Sequence, residues 1–339
     1  MRDAISEAVG VLVSDRFPAD LAQRCERYAE GIGRRLAWIP VPADPQARVP
    51  DDLLPGIQVA FYTSDVYETR PRSFFSAVRK APNLRWLQTF NVGVDHPIFA
   101  ELLGRGIRVT SAAGTSAVPI AQSAITGLLM LARGFPAWIK AQQAHTWLQF
   151  RGSTGPADLA GQTLCVLGMG SIGTEIARLG QALGLTVIGI RRSARTPADP
   201  VTEMHTPEAL AGVLPRCNWL AIACPLTAET RRLIDGPMLA RLPQGARVIN
   251  VARGEIVDEP ALIDALSNGH LAGAYLDVFE KEPLPPESPL WELPNVIVTP
   301  HNCGASSGND ARVLALFGTN LEHWLSGRAL VNEVTASPA

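Results

Sequence analysis

Short apolar runs recur through the first third of the chain, separated by polar, turn-forming or helical stretches. The runs fall at residues 9–13, 57–63, 84–90 and 107–110. Apolar runs that alternate with helical segments are typical of βαβ units, whose strands lie parallel in a sheet covered on both faces. The first third is therefore predicted to form a parallel α/β sheet.

A second series of the same kind begins after a glycine- and proline-containing hinge at residues 152–161. One helix of this series is predicted at residues 258–267, because Asp258 can cap its start, Pro260 fits its first turn and Gly269 follows its end. Another helix is predicted near the end of the chain. That helix covers residues 311–325, and the predicted strands are residues 163–167, 186–190, 219–223, 247–251, 272–277 and 296–299.

The segment between the two series, residues 118–143, contains few helix breakers and is predicted to form one long helix. Its apolar residues occupy most faces of that helix. A helix that is apolar all round is normally buried. We therefore expect it to lie between two domains or against another subunit.

Length and composition exclude several classes of protein. A chain of 339 residues suggests two domains, and its 30 basic and 32 acidic side chains nearly cancel. Neither nucleic acid nor an anionic membrane is therefore an expected partner. No apolar run reaches the roughly 20 residues of a membrane span, and the first residues lack a signal-peptide core. Five cysteines without a C-x-x-C pair favour a reducing, cytoplasmic location and no metal site.

A glycine-rich motif lies between the predicted strand at 163–167 and an amphipathic helix. In this context Gly168 permits a tight turn, Gly170 lets the backbone approach a pyrophosphate, and Gly173 allows close packing of helix on strand. The exposed amides and the helix dipole would then hold the anion. A plain strand–turn–helix is the alternative. The predicted dinucleotide-binding loop consists of Gly168, Met169, Gly170, Ser171, Ile172 and Gly173.

The next predicted strand, residues 186–190, ends in basic residues where NAD-binding proteins place a carboxylate for the ribose hydroxyls. Arg191 and Arg192 come first, and Ser193 adds a hydroxyl donor. Arginine can bind a phosphate group bidentately. We therefore predict NADP(H) as the preferred cofactor and NAD(H) as the second. The alternative is a solvated strand end without a binding role.

Ionisable residues follow three predicted strands of the second series, at the sheet edge where ligands bind in open parallel sheets. They include Arg253, Glu282 and His301. Reduction of a 2-keto acid needs a cation for the carboxylate and a proton donor that works near neutral pH, which arginine and histidine supply. A carboxylate beside the histidine would favour its protonated form. A lone histidine at a strand end is more often structural, so the prediction depends on the whole set.

Five segments together resemble the D-isomer-specific 2-hydroxyacid dehydrogenase family in order and spacing. They are residues 168–173, 224–227, 248–265, 277–284 and 299–304. The resemblance implies that Arg253 binds the substrate carboxylate and carbonyl, that His301 is the acid/base, and that Glu282 pairs with His301. Glu280 does not take this role, because the family's carboxylate falls five residues after Asp277.

The resemblance also implies further binding residues. Asp277 would bond the nicotinamide carboxamide, with the backbone of Ala252 nearby. The loop at residues 91–95 resembles the family's substrate loop, although on its own it reads as a plain turn. The implied substrate-binding residues are Asn91, Val92, Gly93, Arg253 and His301. The implied cofactor contacts beyond the glycine loop and the basic strand end are Cys224, Pro225, Thr230, Val251, Ala252, Asp277 and Gly304.

The architecture implied by the resemblance is α/β, with two Rossmann-like, doubly wound parallel-sheet domains and a cleft between them. Residues 1–109 and 303–339 would form a discontinuous substrate domain, and residues 110–302 the dinucleotide-binding domain. A homodimer is expected. Two features depart from the family pattern. Gln122 and Ser123 stand where the family commonly has Glu-His, and Arg191 replaces the acidic residue after the second strand.

The function implied is hydride transfer between NADP(H) and a small 2-keto or D-2-hydroxy acid. Members with a basic residue after the second strand resemble the NADPH-dependent glyoxylate/hydroxypyruvate reductases. Two alternatives stay open at this point. One is a dehydrogenase of the same fold with another substrate, such as phosphoglycerate, phosphite or formate. The other is a nicotinamide-sensing scaffold of the corepressor type.

Overall fold

The chain divides into two compact units in the computed structural model, which describes residues 8–152 and 155–334. One unit consists of Met1–Thr115 together with Ser307–Ala339, and the other of Ser116–Ser306. The predicted hinge at 152–161 includes residues 153 and 154, which lie outside the described residues. The assignment of one unit to substrate and the other to cofactor stays a prediction.

The first unit is built on a five-stranded sheet in which every neighbouring pair is parallel. Its strand order, β2-β1-β3-β4-β5, is that of a doubly wound sheet. The strands are β1 (Val9–Ser14), β2 (Leu36–Val41), β3 (Ile57–Tyr62), β4 (Trp86–Thr89) and β5 (Arg108–Thr110). The helices, numbered in chain order through both units, are α1 (Ala19–Gly31), α2 (Ser64–Thr69), α3 (Pro71–Lys80), α4 (Pro97–Gly104) and α11 (Asn309–Leu325).

Helices cover both faces of this sheet, which explains why its central strands are apolar throughout. All six residues of β1 are buried, as expected when neither face meets water. The last helix, α11, packs on one face through aromatic rings. Phe317 stacks on Phe61 with ring centroids 4.1 Å apart, and Trp86 lies 5.7 Å from Phe317 on the same face. The C-terminal segment thereby completes the core of the first unit.

The second unit contains a seven-stranded sheet, again with all neighbouring pairs parallel. The strand order is β12-β11-β10-β9-β6-β7-β8, with the reversal next to β6 that marks the Rossmann type. The strands are β6 (Thr163–Leu167), β7 (Thr186–Ile190), β8 (Glu203–His205), β9 (Trp219–Ile222), β10 (Ala246–Asn250), β11 (Leu271–Leu276) and β12 (Val296–Val298). The helices are α5 (Ala117–Ala132), α6 (Phe135–Gln143), α7 (Ser171–Ala182), α8 (Leu210–Val213), α9 (Gly236–Leu239) and α10 (Glu259–Ser267).

The predicted fold class is confirmed, since both sheets are parallel and carry helices. Two edge strands, β2 and β8, were not predicted. In β2 the burial alternates irregularly and Pro40 interrupts the apolar pattern. Proline cannot donate to a ladder and is therefore confined to strand edges and bulges. The other, β8, has three residues, all only partly buried. Edge strands of this kind lack the continuous apolar run that identified the central strands.

The single helix predicted at 118–143 is two helices, α5 and α6, bent by 73° at their break. Gly134 adopts the left-handed conformation with φ of 76°, which glycine enters without steric cost, and Pro136 lies in the first turn of α6. None of the described helices can cross a membrane by itself, although this bent pair reaches the required length and composition when taken together.

Helix α5 packs on the sheet so closely that a side chain at Gly127 would collide with it. A Cβ at Gly127 would lie 2.3 Å from Cγ of Tyr275 in β11. We expect Gly127→Ala to destabilise the second unit by about 1–3 kcal/mol, since the ring must move within a packed core. The shift is measured as a fall in Tm.

The matched control is Gly212→Ala. Gly212 also lies in a helix, α8, but a Cβ there meets no atom within 4 Å. Alanine favours helix over glycine, so this variant should keep or raise the Tm. An unchanged Tm in Gly127→Ala would contradict the close packing of α5 on β11.

Candidate active site

The glycine loop lies between β6 and α7, and each of its glycines has a distinct steric role. Gly168 has φ of 99°, and a Cβ there would lie 2.4 Å from the backbone N of Cys224. A Cβ at Gly173 would lie 1.9 Å from the carbonyl O of Gly168. The turn and the close helix–strand contact therefore both require glycine.

Gly170 differs from the other two because a Cβ there meets no atom within 4 Å. Gly170 is the N-cap residue of α7 and has no side chain to bond the first-turn amides. Its carbonyl accepts from the backbone N–H of Thr174. The N–H groups before Thr174 have no acceptor within the helix, as is general for a first turn. An open approach to such amides at the positive end of a helix fits a pyrophosphate. The loop therefore suits a dinucleotide.

The other residues of the loop and its surroundings are placed differently. Met169 is buried and packs against Gly189 of β7, so its side chain belongs to the core. Ser171 is exposed, and Ile172 packs partly against the core. Cys224 and Pro225 follow β9, the strand that pairs with β6. Cys224 is buried beside Gly168, and Pro225 is exposed.

A tight turn follows Pro225. The hydroxyl of Thr230 donates to the carbonyl of Pro225 at 2.7 Å and accepts from the N–H of Thr227, also at 2.7 Å. Thr230 thereby fixes the backbone next to the glycine loop. In this structure the side chain of Thr230 therefore stabilises the turn.

The strand end after β7 contains a carboxylate that the sequence analysis missed. Asp199 accepts two hydrogen bonds from the guanidinium of Arg191, at 2.7 and 2.6 Å. Arg192 and Ser193 are exposed. Asp199 comes eight residues after Arg191 in a turn-rich stretch, and only the polar and proline-rich composition of that stretch signalled a structured turn.

The three predicted chemical residues follow three neighbouring strands. Arg253 comes after β10, Glu282 after β11 and His301 after β12. These strands are adjacent and parallel, so their carboxyl ends share one sheet edge. Nδ1 of His301 lies 2.7 Å from Oε2 of Glu282. The structure therefore brings the predicted histidine and carboxylate into direct contact, and leaves both exposed.

Glu282 is held by its own segment. Its Oε1 accepts from the N–H of Phe279 at 3.0 Å. The same segment touches the backbone beside Arg253, since a Cβ at Gly254 would lie 1.9 Å from the carbonyl C of Phe279. Arg253 is half-buried, and its Nη1 donates to the carbonyl of Ala252 at 2.7 Å. The segments that carry Arg253 and Glu282 are thus packed against each other.

Asp277 is completely buried and organises the loop that carries His301. Its Oδ1 accepts from the hydroxyl of Thr299 at 2.6 Å and from the N–H groups of Asn302 at 2.9 Å and Cys303 at 3.1 Å. The N–H of His301 donates to the carbonyl of Asp277 at 2.7 Å. His301 itself has φ of 50°, a conformation that costs energy outside glycine and persists where the surroundings enforce it.

Cys303 and the neighbouring helix complete this loop. Burial raises the pKa of the Cys303 thiol far above its ordinary value, and contact with the Asp277 carboxylate adds to the effect. The thiol therefore stays protonated. The hydroxyl of Ser123 in α5 donates to the carbonyl of Cys303 at 3.1 Å, and a Cβ at Gly304 would make ordinary contact with Ser116 and Ile120. Ser123, a departure from the family pattern, serves to anchor the loop.

The predicted substrate loop lies in the first unit, directly after β4. The N–H of Asn91 donates to the hydroxyl of Thr89, and its carbonyl accepts from Ala112 at 2.8 Å. Within the described part of the chain, the N–H groups of Val92 and Gly93 have no hydrogen-bond acceptor. Both residues are partly exposed, so these amides can bind an anion.

The model of the family "D-isomer specific 2-hydroxyacid dehydrogenase, NAD binding domain" matches residues 125–303. The chain belongs to this family. It is an NAD(P)-dependent 2-hydroxyacid dehydrogenase, which confirms the predicted enzyme class and the resemblance noted in the sequence.

Curated relatives of the dehydrogenase differ in their named substrates. The chain is 33% identical to (S)-sulfolactate dehydrogenase of Chromohalobacter salexigens over 266 residues, and the matched region covers 78% of this chain and 85% of the relative. It is 34% identical to glyoxylate reductase of Thermofilum pendens, over 75% of this chain and 76% of the relative. With D-3-phosphoglycerate dehydrogenase of Mycobacterium tuberculosis the identity is 36%, over 67% and 42% of the two chains.

Two solved structures show the same fold over nearly the whole dehydrogenase. A family member from Xanthobacter autotrophicus, in complex with NADPH and MES, has a TM-score of 0.77 at 30% identity and covers 97% of this chain and 98% of its own. The NADPH-dependent glyoxylate/hydroxypyruvate reductase of Sinorhizobium meliloti, in complex with NADP and sulfate, has a TM-score of 0.74 at 29% identity, over 96% and 98%.

The different surroundings of the glycines give a contrasting pair of variants. We expect Gly170→Ala to fold with an unchanged Tm, because its Cβ enters open space, and to weaken dinucleotide binding about tenfold or more, because the methyl group fills that approach. Gly173→Ala should lower the Tm as well as the affinity, since its Cβ would overlap backbone. Cofactor titration and thermal unfolding measure the two effects. Tight cofactor binding by Gly170→Ala would contradict the proposed approach.

Proposed function

We propose that this dehydrogenase reduces small 2-keto acids of the glyoxylate or hydroxypyruvate type to D-2-hydroxy acids, with NADP(H) preferred over NAD(H). The observation that carries the proposal is the contact of His301 with Glu282 at 2.7 Å, at the sheet edge shared with Arg253. A basic strand end after β7 supports the choice of NADP(H).

The proposed chemistry assigns one task to each residue. When bound, the nicotinamide supplies a hydride to the keto carbon. Arg253 binds the substrate carboxylate and carbonyl, since its planar guanidinium matches two oxygen acceptors. His301 donates a proton to the carbonyl oxygen, which becomes the hydroxyl of the product. Glu282 bonds Nδ1 of the ring, so the proton comes from Nε2, and the carboxylate orients the ring.

The second unit, Ser116–Ser306, is proposed as the cofactor domain that the sequence predicted at residues 110–302, and the first unit as the substrate domain. The backbone amides of Val92 and Gly93, next to Asn91, are proposed to bind the substrate carboxylate. The proposed cofactor residues of the glycine loop are Gly168, Met169, Gly170, Ser171, Ile172 and Gly173, with Met169 contributing its backbone. Those outside it are Arg191, Arg192, Ser193, Cys224, Pro225, Thr230, Val251, Ala252, Asp277 and Gly304.

We also propose a homodimer. Apolar side chains on α6 and the segment after it are exposed in the single chain, with Trp147 at 88% and Phe135 at 44%. Ile139 and Leu148 are exposed beside them in sequence. Large exposed apolar patches mark protein–protein interaction sites, and exposed side chains so close in sequence support one here.

All five cysteines are free and buried, which agrees with the proposed reducing, cytoplasmic location.

The names of the relatives support this substrate class without narrowing it to one compound. A panel of 2-keto acids, followed by the absorbance of the reduced cofactor with NADPH and NADH, tests it. We expect fastest turnover with glyoxylate or hydroxypyruvate and NADPH. Faster reduction of a phosphorylated or sulfonated 2-keto acid would replace the proposed substrate. Tight cofactor binding with no turnover on any acid would favour a nicotinamide-sensing scaffold.

The role of His301 is tested by His301→Ala. We expect kcat to fall by about 10²–10⁴-fold, the usual contribution of a general acid, while NADP+ binds with wild-type affinity. His270→Ala is the matched control. His270 directly precedes β11, so it lies at the amino end of a strand whose carboxyl end carries the site, and its loss should leave kcat unchanged. Wild-type turnover in His301→Ala would refute the assignment.

A further inference from the structure

The turn after β7, residues 191–202, is folded around one arginine. Nε of Arg191 donates to the carbonyl of Ser193 at 3.1 Å, and Nη2 donates to the carbonyl of Ala194. Nη1 and Nη2 also donate to the two carboxylate oxygens of Asp199 at 2.7 and 2.6 Å. The guanidinium is thus engaged on both of its edges. Its side chain is 17% exposed.

Asp199 is equally engaged. Besides the two bonds from Arg191, its Oδ2 accepts from the N–H and the hydroxyl of Thr196. Its side chain is 7% exposed. The hydrogen bonds from Arg191 and then from Thr196 lower the pKa of this carboxyl, so it is charged at neutral pH. The carboxylate of Asp199 is therefore held within the turn by Arg191 and Thr196.

The charges that remain after this pairing are cationic. Arg195 donates to the carbonyls of Val201 and Thr202, which satisfy hydrogen bonds without neutralising its charge. Arg192 is exposed, and within the described residues it forms neither a hydrogen bond nor an ion pair. The pKa of Glu229 is lowered mainly by the hydroxyl of Thr227 and, to a smaller degree, by the charge of Arg192. Ser193 is exposed next to Arg192.

We propose that Arg191 and Asp199 form a clip that shapes the turn, so that Arg191 positions Arg192 and Ser193 for the 2′-phosphate of NADP(H) and does not itself bind the phosphate. The proposal rests on the NADP(H) preference proposed above and divides the roles of the two arginines. Arg191 acts as a positioning residue. The ion pair also cancels the negative charge of Asp199, which would otherwise repel a phosphate from this strand end.

The clip and a direct contact by Arg191 predict opposite signs for Asp199→Ala. If Arg191 itself bound the phosphate, removal of Asp199 would free the guanidinium and remove a negative charge, so NADP+ would bind equally or more tightly. With the clip, the turn loses its shape. We then expect the Kd of NADP+ to rise about five- to tenfold, while the Kd of NAD+ changes less than about twofold. Fluorescence or calorimetric titration with NADP+, NAD+, 2′,5′-ADP and 5′-AMP measures this.

A double-mutant cycle tests whether the two residues act as one unit. Arg191→Ala should weaken NADP+ binding as much as Asp199→Ala, and the double variant no more than either. Arg191→Lys keeps the charge but loses the paired donors, so it should also weaken NADP+. Arg192→Ala should have the largest effect, about tenfold to a hundredfold, as expected for charge-assisted bonds to a phosphate.

Glu203→Gln is the matched control, because it removes one negative charge from the same unit outside the turn, where Glu203 pairs with Arg216. It should leave the ratio of NADP+ to NAD+ affinity unchanged, and thermal unfolding shows that each variant is folded. A wild-type protein that binds NAD+ more tightly would overturn the cofactor preference. If the wild type prefers NADP+ and both Asp199→Ala and Arg191→Lys keep that preference, the clip is wrong while the cofactor preference stands.

Discussion

The chemical site depends on the hydrogen bonds that the buried carboxylate of Asp277 accepts. A charge removed from water carries a large desolvation penalty, which is acceptable only when hydrogen bonds compensate it. Here the loop after the next strand supplies them, through Thr299, Asn302 and Cys303. The same bonds tie the ends of β11 and β12 together, and they hold His301 in its left-handed conformation within reach of Glu282. The Asp277 carboxylate therefore sets the position of His301 through the loop that carries it, by bonds to the neighbouring residues.

Much of this could be predicted from the sequence, because the central strands of parallel sheets are apolar on both faces and leave a strong signal. The glycine loop was recognisable from its flanking strand and helix, and the adjacency of Glu282 and His301 followed from the family resemblance. The edge strand at Leu36–Val41 gave no such signal, since its residues alternate between burial and exposure around Pro40.

Other features were hidden because they depend on contacts distant in space. The bend at Gly134 could be suspected from a glycine followed by Phe135 and Pro136, but apolar residues on both sides masked it. The pairing of Arg191 with Asp199 depends on how the turn at residues 191–202 closes on itself, and no periodic pattern records such closure. Sequence position placed Arg191 beside the cofactor; the structure shows that its guanidinium is occupied.

The stacking of Phe317 on Phe61 also has a consequence for synthesis on the ribosome. The second unit is one continuous stretch of chain, Ser116–Ser306, and all of its strands are synthesised before α11. The first unit, although most of it precedes the second unit in the sequence, lacks the aromatic face of α11 until residues 309–325 are made. Domains generally fold as units once their chain is complete. Most of the first unit is therefore translated before the second unit but completes its core only afterwards, and its exposed sheet face must be kept from aggregation during that interval.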